Sequence, residues 1–200
     1  RHFRSRLPNN EFTFYYSLSG QLKREPLMGY TYYYLKPYSN FKFLQNVLYF
    51  YTKYSNVMEK LVSDSRKFPN MYCIPLSKSY NVNEIETLKS ETELRMYWYK
   101  GRETNRKRDD SRYHDVNLHS YFNGYGTIEI RSHGGTIDAD KILLWVRLHQ
   151  TILDKLQNMD IEDIKKYPDG YCGFIDFVND DLLSKYIKRL LGYFSNIKRI

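Results

Sequence analysis

The stretch that most constrains the fold runs from Gly126 to Leu148 and reads GTIEIRSHGGTIDADKILLWVRL. Its first part alternates apolar and polar residues with a period of two, which is typical of a strand with one buried face. Ile128 and Ile130 fall on one face of that strand, and Glu129 and Arg131 fall on the other. A double glycine then interrupts the strand just before a run with helical spacing. A strand and a helix joined this closely predict that both contribute to one core.

Helical spacing also appears in the first half of the chain. Apolar residues recur three and four apart over residues 41–62, which predicts one long amphipathic helix with Ser39 or Asn40 as its cap. Asn83 is a candidate cap for a short helix over EIETLKSETELRMYWY. The aromatic end of that run could equally form a strand.

The last third of the chain shows two more apolar stripes. They predict a helix from Asp138 to Leu156 and another over residues 182–194. Asp138 and Asn179 are the predicted caps of these helices. Between them, MDIEDIKKYPDG predicts a short helix that stops at Pro168 and Gly170.

The first forty residues alternate aromatic and polar positions around Gly20, Pro26, Gly29 and Pro37. This pattern predicts short strands or a hairpin joined by turns. FPNMYCIPL is bounded by two prolines, which favours an extended segment or an edge strand because proline cannot donate to a sheet ladder.

The whole pattern predicts an α+β fold: an antiparallel sheet with Glu129 and Arg131 on its open face and the helices packed against the other face.

Composition narrows the classes of partner. The net charge of +8 favours an anionic partner such as a nucleotide, a nucleic acid or a polyanionic surface. The 21 tyrosines could stack on single-stranded nucleic acid, although tyrosine is also common in half-buried strands. KGRETNRKRDDSR is expected to be an exposed loop that could touch phosphates.

Two sequence features indicate the environment of the chain. Cys73 and Cys172 stand alone without a CxxC partner, which favours a reducing intracellular compartment such as the cytoplasm. No apolar run approaches the ~20 residues needed to span a bilayer, so we expect no membrane segment.

Glu129 and Arg131 form the strongest chemical motif in the sequence. A carboxylate can hold a divalent cation, and a guanidinium can grip a phosphate or a carboxylate. An ordinary ion pair on a solvated sheet would give the same pattern. Upstream, Asn117 and His119 alternate in RYHDVNLHS and could line the same surface, although each could equally be a structural hydrogen-bonding residue.

Three segments in order, SRKFPNMYCIPL, RYHDVNLHS and GTIEIRSHGGTIDADKILLWVRL, resemble the amidoligase family. This family is related to glutamine synthetase and glutamate-cysteine ligase and is common in phages, other mobile elements and some fungi. The resemblance covers residues 41–156 and implies a glutamine synthetase-like fold. It also implies a single domain over residues 1–200, with a motif core at 41–156 and a helical extension at 157–200. Since the chain begins at Arg1 without a methionine, we expect it to be the C-terminal part of a larger amidoligase-like domain.

The resemblance implies an ATP-dependent carboxylate-amine ligase. ATP phosphorylates a carboxylate, and an amine then displaces phosphate to leave an amide. By resemblance Glu129 holds Mg²⁺ at the phosphates, Arg131 stabilises the transferred phosphoryl group or the acyl phosphate, and Arg66 is a second catalytic residue. The remaining matched positions are expected to bind the nucleotide: Arg112, Tyr113, Asn117 and His119. The implied partners are a carboxylate and an amine, either small molecules or peptides.

The sequence departs from the family pattern at two places. The family begins with a G-x-E-x-E strand that supplies further metal ligands, and the nearest match here, NEIET, comes too late in the chain. The family also carries G-x-H-x-H before the long helix, where this chain reads GYTYYYL. We therefore expect the missing ligands to come from an absent N-terminal segment or a partner chain, and this chain alone to show little ligase activity.

Two other functions compete with an active ligase. The first is a catalytically inactive amidoligase-like domain that serves as a basic structural or nucleic-acid-binding component of a larger assembly. The second, weaker one is a nuclease or replication protein that uses acidic residues together with His119 and His133. No metal-binding motif supports the second.

Overall fold

A computed structural model describes most of the chain and shows a largely helical protein with a small antiparallel sheet, which fits an α+β fold. The backbone is described for residues 2–6, 13–19, 28–34, 41–104 and 106–196. Side chains are described for residues 41–104, 106–123 and 125–192.

The sheet places its two C-terminal strands side by side. Its five strands lie in the order β1-β2-β3-β5-β4, and all neighbours are antiparallel. The strands are β1 His2–Arg6, β2 Thr13–Ser19, β3 Met28–Tyr34, β4 Val116–Asn117 and β5 Thr127–Ile130. β5 therefore lies between β3 and β4, with Glu129 opposite Tyr32 on one side and opposite Asn117 on the other.

The strands predicted for the first forty residues are confirmed as β1, β2 and β3. Gly29 lies within β3 instead of at a turn. The predicted turns at Gly20, Pro26 and Pro37, and the caps at Ser39 or Asn40, lie outside the described residues. FPNMYCIPL is wrong as a strand: it forms turns, with one isolated bridge between Ile74 and His114.

Eight helices surround the sheet in the described part of the chain. They are α1 Phe41–Lys53, α2 Ser55–Lys60, α3 Val82–Thr87, α4 Glu91–Trp98, α5 Ala139–Gln157, α6 Ile161–Lys165, α7 Gly170–Val178 and α8 Asp181–Asn196. Within the described residues, none of these helices has the length and apolar character needed to cross a membrane.

α1 is buried along most of its length, although its spacing predicted an amphipathic helix. Its residues 43–52 are all buried, including polar ones. Gln45 Nε2 donates to the carbonyl oxygens of Ile85 at 2.7 Å and Leu88 at 2.9 Å. Asn46 Nδ2 donates to those of Leu156 at 3.0 Å and Met159 at 2.6 Å. The amide nitrogens of both side chains satisfy carbonyls at the ends of α3 and α5, which offsets the cost of burying these donors. Among the described residues, Asn46 Oδ1 has no hydrogen-bond partner, so the burial of this oxygen is not offset.

The predicted inner face of β5 is confirmed. Ile128 and Ile130 have no exposed surface, and they belong to the same apolar cluster as Leu48 of α1 and Trp145 of α5. The C-terminal helices join that cluster through side chains such as Phe174 of α7. One core therefore extends from the sheet through α1 and α5 to α8, which contributes Ile187.

The helix caps show where local sequence decides structure. Asp138 is confirmed as the cap of α5, because its side chain accepts from the backbone amides of Asp140 and Lys141. Asn179 is wrong as the cap of α8: it ends α7 in a left-handed conformation with φ of 45°. Asp180 instead accepts from the amide of Leu183, and Asn81 caps α3 in place of Asn83.

Replacing Asp138 by alanine is expected to lower the free energy of unfolding by about 1 kcal/mol, because two amides at the start of α5 lose their acceptor. Urea denaturation followed by circular dichroism measures this change. Asp140→Ala is the matched control, since Asp140 lies in the same turn without accepting these bonds. An equal loss in both variants would contradict a capping role for Asp138.

Candidate active site

The neighbouring strands β4 and β5 bring Asn117 and Glu129 together. The two residues are register partners, and Asn117 Nδ2 donates to Glu129 Oε2 at 2.6 Å. Arg131 Nη1 donates to the other oxygen, Glu129 Oε1, at 3.0 Å. Glu129 is only 5% exposed, so this carboxylate is largely removed from water and held by an amide and a guanidinium.

Arg131 follows β5 and is also buried, at 9% exposed. Its Nε donates to the carbonyl of Tyr72 at 3.4 Å, and its own carbonyl accepts from Arg66 Nη2 at 2.6 Å. Arg66 ends the short helical turn Asp64–Arg66 and is 4% exposed. The expectation that Glu129 and Arg131 stand on an open face is therefore wrong, because loops from other parts of the chain cover them.

Glu129 lines a pocket with a volume of about 290 Å³, which we name the Glu129 pocket. Its lining residues are Lys107, Arg112, Asn117, His119, Ser120, Tyr125, Thr127 and Glu129. Two of them are cationic and one is acidic, and the single acid already pairs with Arg131. The charge balance of the pocket therefore favours an anionic ligand.

Arg112 and Tyr113 form a rigid pair beside this pocket. Arg112 Nη2 donates to the Tyr113 hydroxyl at 2.6 Å, and the guanidinium carbon lies 4.7 Å from the centre of that ring. The guanidinium carbon of Arg131 lies 5.8 Å from the same ring. The ring of Tyr113 therefore lies close to two guanidinium groups that could contact phosphate or carboxylate oxygens.

His119 contacts the charged segment KGRETNRKRDDSR, residues 100–112, which we name the basic loop, and joins it to the Glu129 pocket. Its Nδ1 lies 2.7 Å from the Tyr99 hydroxyl, and its Nε2 lies 3.4 Å from the carbonyl of Lys107. Since a carbonyl only accepts, Nε2 is the donor in the contact with Lys107. The segment predicted as an exposed loop is therefore held at its pocket end, and its Asp109 is buried as the cap of the turn Asp110–Tyr113.

A tight connection sets the start of β5. A π-helical turn over Tyr121–Tyr125 leads into Gly126, whose φ of 60° lies in the left-handed region that glycine adopts without strain. Ser120 Oγ donates to the carbonyl of Thr127 at 2.8 Å and closes this connection. The chain thereby returns antiparallel to β4, which fixes the pairing of Asn117 with Glu129.

Asp115 precedes β4 and is buried beneath the site. Its Oδ1 accepts from the backbone amides of Leu76 at 3.1 Å and Val116 at 2.9 Å. Burial raises the pKa of this carboxyl to about 7, although the two amide bonds oppose the shift. Burial, with a smaller contribution from the Asp115 charge, also raises the pKa of the Cys73 thiol to about 12, so Cys73 is not a nucleophile at neutral pH.

The described residues contain no preformed multi-ligand metal site. Among them, no group of three histidine, cysteine, aspartate or glutamate side chains lies close enough to hold an ion. Glu129 is the single acidic residue in the five described strands. His119 and His133 line different pockets.

All seven residues singled out in the sequence lie in one neighbourhood. Arg112, Asn117, His119 and Glu129 line the Glu129 pocket, Arg131 contacts Glu129, and Arg66 and Tyr113 each contact or face Arg131. Their chemical roles stay predictions.

Several residues of the site were missed in the sequence. Ser120 and Thr127 lie within the two quoted motifs and could have been included with them. Lys107 belongs to the basic loop. Tyr72 lies within the first quoted motif, and it contributes a backbone carbonyl to Arg131 and an edge-on ring contact to Tyr113. Tyr99 gave no signal, because it follows α4 and reaches the site from an element that is distant in the sequence.

Fold and site together define an α+β protein with a buried carboxylate and a cation-rich pocket at a sheet edge. A family model described as "Putative amidoligase enzyme" matches residues 37–153, which is more than half of the chain. The chain therefore belongs to the amidoligase family. Neither a curated protein nor a solved structure matches the chain at a significant level.

Proposed function

We propose that this protein is an ATP-dependent carboxylate-amine ligase with a glutamine synthetase-like arrangement of sheet and helices. The observation that carries the proposal is the Asn117–Glu129–Arg131 cluster, which lies at a cation-rich pocket inside the segment matched by the family. Family membership supports amide-bond formation, and the charge of the pocket supports an anionic reactant. The glutamine synthetase-like fold and the use of ATP are parts of the proposal.

The residues of the Glu129 pocket fit a phosphate group. Lys107 and Arg112 can contact phosphate oxygens, and Asn117, Ser120 and His119 surround the same space. Glu129 would be the one protein ligand of Mg²⁺, which commonly takes one or two carboxylates together with phosphates and water. Its two hydrogen bonds leave lone pairs for such a contact. When bound, the ion would neutralise phosphate charge.

In the proposed reaction, a carboxylate oxygen attacks the terminal phosphorus of ATP, and ADP leaves. The nitrogen of the amine then attacks the acyl carbon, phosphate leaves, and the nitrogen loses a proton. The protein's contribution is electrostatic positioning, which dominates phosphoryl transfer. Arg131 would stabilise charge on the transferred group, Glu129 and the Tyr72 carbonyl would hold its guanidinium in place, and Arg66 would fix its backbone.

Hydroxylamine offers a test that does not require the natural amine. It attacks acyl phosphates to give hydroxamates, which are coloured with Fe³⁺ and can be measured for a panel of carboxylates. The proposal predicts ATP-dependent hydroxamate and equal amounts of ADP with at least one carboxylate. No hydroxamate with any carboxylate, both for this chain and for the protein with any additional coding sequence, would overturn it.

The alternative, an inactive basic component of an assembly, makes a different prediction. Because the protein has a net charge of +8, it would bind nucleic acid with an affinity that falls steeply as the salt concentration rises. An inactive protein would form no hydroxamate. Family membership favours the ligase over this alternative.

Replacing Arg131 by lysine is expected to lower the turnover number for hydroxamate about tenfold and to change the dissociation constant of ATP by less than about twofold. An ammonium cannot reach both Glu129 and the Tyr72 carbonyl as the guanidinium does. Initial rates and calorimetry measure the two quantities. Arg147→Lys is the matched control, because Arg147 pairs with Asp180 on the surface. A larger effect on ATP binding than on turnover would contradict the assigned role.

A further inference from the structure

The glycine-rich turn that follows Arg131 lines a second pocket, with a volume of about 280 Å³, which we name the His133 pocket. Four segments build it: residues 61–63 after α2, the turn 133–136, the first part of α5, and residues 186–190 of α8. It shares no lining residue with the Glu129 pocket. The proposed ligase reaction assigns it no role.

The charged side chains that line this pocket are both cationic, Lys141 and Arg189. The carboxylate that pairs with Lys141 is Asp138, at 3.8 Å, and it already accepts two amide hydrogen bonds as the cap of α5. Among the residues whose side chains are described, no acidic one lines the pocket. The field in the pocket therefore attracts an anion.

Apolar side chains also line the pocket. Leu61, Val62 and Tyr186 are buried, at 2%, 4% and 6% exposed, so they present little surface to water. Leu190 of α8 is half-buried and presents apolar surface next to Arg189. A ligand with an apolar body would remove the exposed surface of Leu190 from water, which a small inorganic anion cannot do.

His133 adds a neutral polar group to the pocket. Its ring lies 4.9 Å from that of Trp145. Burial first, and the charge of Arg66 second, lower the pKa of His133 to about 4, so the ring is neutral at pH 7. The imidazole therefore neither repels a cationic side chain nor carries the charge of the pocket, and a nearby bound anion would raise its pKa.

We infer that the His133 pocket binds a small amphipathic carboxylate, with the carboxylate held by Lys141 and Arg189 and an aliphatic body packed against Leu190. The inference is independent of the ligase proposal, because it concerns other residues and its test measures binding only. An aliphatic acid of six carbons is small enough for a cavity of about 280 Å³.

Calorimetry of the whole chain with three probes tests the ligand class. We expect 4-methylpentanoate to bind with a dissociation constant of roughly 1 mM, as suits a ligand of so few atoms. The neutral analogue 4-methylpentanamide and inorganic phosphate are each expected to bind at least about tenfold more weakly, since one lacks the charge and the other the apolar body. An amide or phosphate that binds as tightly as the carboxylate would overturn the inference, and so would no binding of the carboxylate.

Variants at the rim locate the site. Lys141→Gln and Arg189→Gln are each expected to weaken 4-methylpentanoate about threefold or more, as expected for the loss of a partly exposed charge. Lys188→Gln, which removes the same charge from the neighbouring position of α8 outside the pocket, is expected to leave the affinity unchanged. In NMR titrations at pH 7, where the ligand is a carboxylate, it should shift the ring resonances of His133. An equal loss of affinity in the Lys188 variant, or unchanged His133 resonances, would overturn the assignment.

Discussion

The Glu129→Gln variant is expected to form hydroxamate about a hundredfold more slowly than the parent protein, a loss comparable to that from removing one electrostatic group at a reacting centre. Glutamine preserves the size of the side chain but removes the charge that faces Arg131 at 3.0 Å. Arg131 then keeps its buried guanidinium without its carboxylate partner and loses the orientation that the proposed reaction needs. Initial rates at saturating ATP and carboxylate measure the effect.

A matched control and the melting temperature separate this chemical effect from unfolding. Glu162→Gln removes a carboxylate from the exposed end of an ion pair with Lys165 and is expected to keep full activity. Asn117→Asp replaces the amide donor with a second acid beside Glu129, so it should lower the rate as well. Full activity in Glu129→Gln, with an unchanged melting temperature, would remove this carboxylate from the mechanism.

The Asp115→Asn variant is expected to be more stable than the parent protein at pH 8 by about 2 kcal/mol. Asp115 has a pKa of about 7 in the folded protein and an ordinary value of 3.8, so the folded state retains a proton that the unfolded chain releases first. Stability from this group is therefore lost as the pH rises from about 4 to about 7. Asparagine carries no charge, and its oxygen can still accept from the amides of Leu76 and Val116.

The pH dependence that comes from Asp115 must be measured as a difference between variant and parent protein, because two histidines also make the stability depend on pH. Burial lowers the pKa of His133 to about 4 and that of His149 to about 3, so both groups add stability as the pH rises toward 6.5 and oppose the effect of Asp115. Their contributions cancel when variant and parent protein are compared at the same pH. The stability gain of Asp115→Asn should therefore grow from pH 5 to pH 8 in urea denaturation. Asp176→Asn, at an exposed position of α7, should show no such trend, and a constant gain would contradict the raised pKa of Asp115.

Local patterns predicted much of the fold but not its interior polar contacts. β5 and α5 were predictable because Ile128, Ile130 and the stripe of α5 follow the periods of a strand and a helix. The helix predicted over residues 41–62 divides at Tyr54, where the chain leaves helical geometry although the apolar spacing continues. Asn46 looks like a solvent-facing residue in the sequence, yet it is buried because its partners are carbonyls 110 and 113 residues away.

The sequence predicted which residues belong to the candidate site, but it did not predict how they are arranged in space. The motif residues converge, but the contact between Asn117 and Glu129 depends on the register of β4 against β5. That register is set by a π-helical turn and the left-handed Gly126, which no periodicity reveals. Tyr99 and the carbonyl of Tyr72 enter through tertiary packing, so the burial of Glu129 and Arg131 could not be read from the alternation of β5.

The hydrogen bond from Arg66 to the carbonyl of Arg131 joins points that are 65 residues apart in the chain. Any ligand that displaces the Arg131 backbone must stretch this bond or carry the turn Asp64–Arg66 with it. That turn reaches the outer surface at Ser65, which is exposed. Ser65 is thus a suitable attachment point for a fluorescent reporter. A dye at this position would respond to a ligand that displaces the Arg131 backbone, without contacting that ligand.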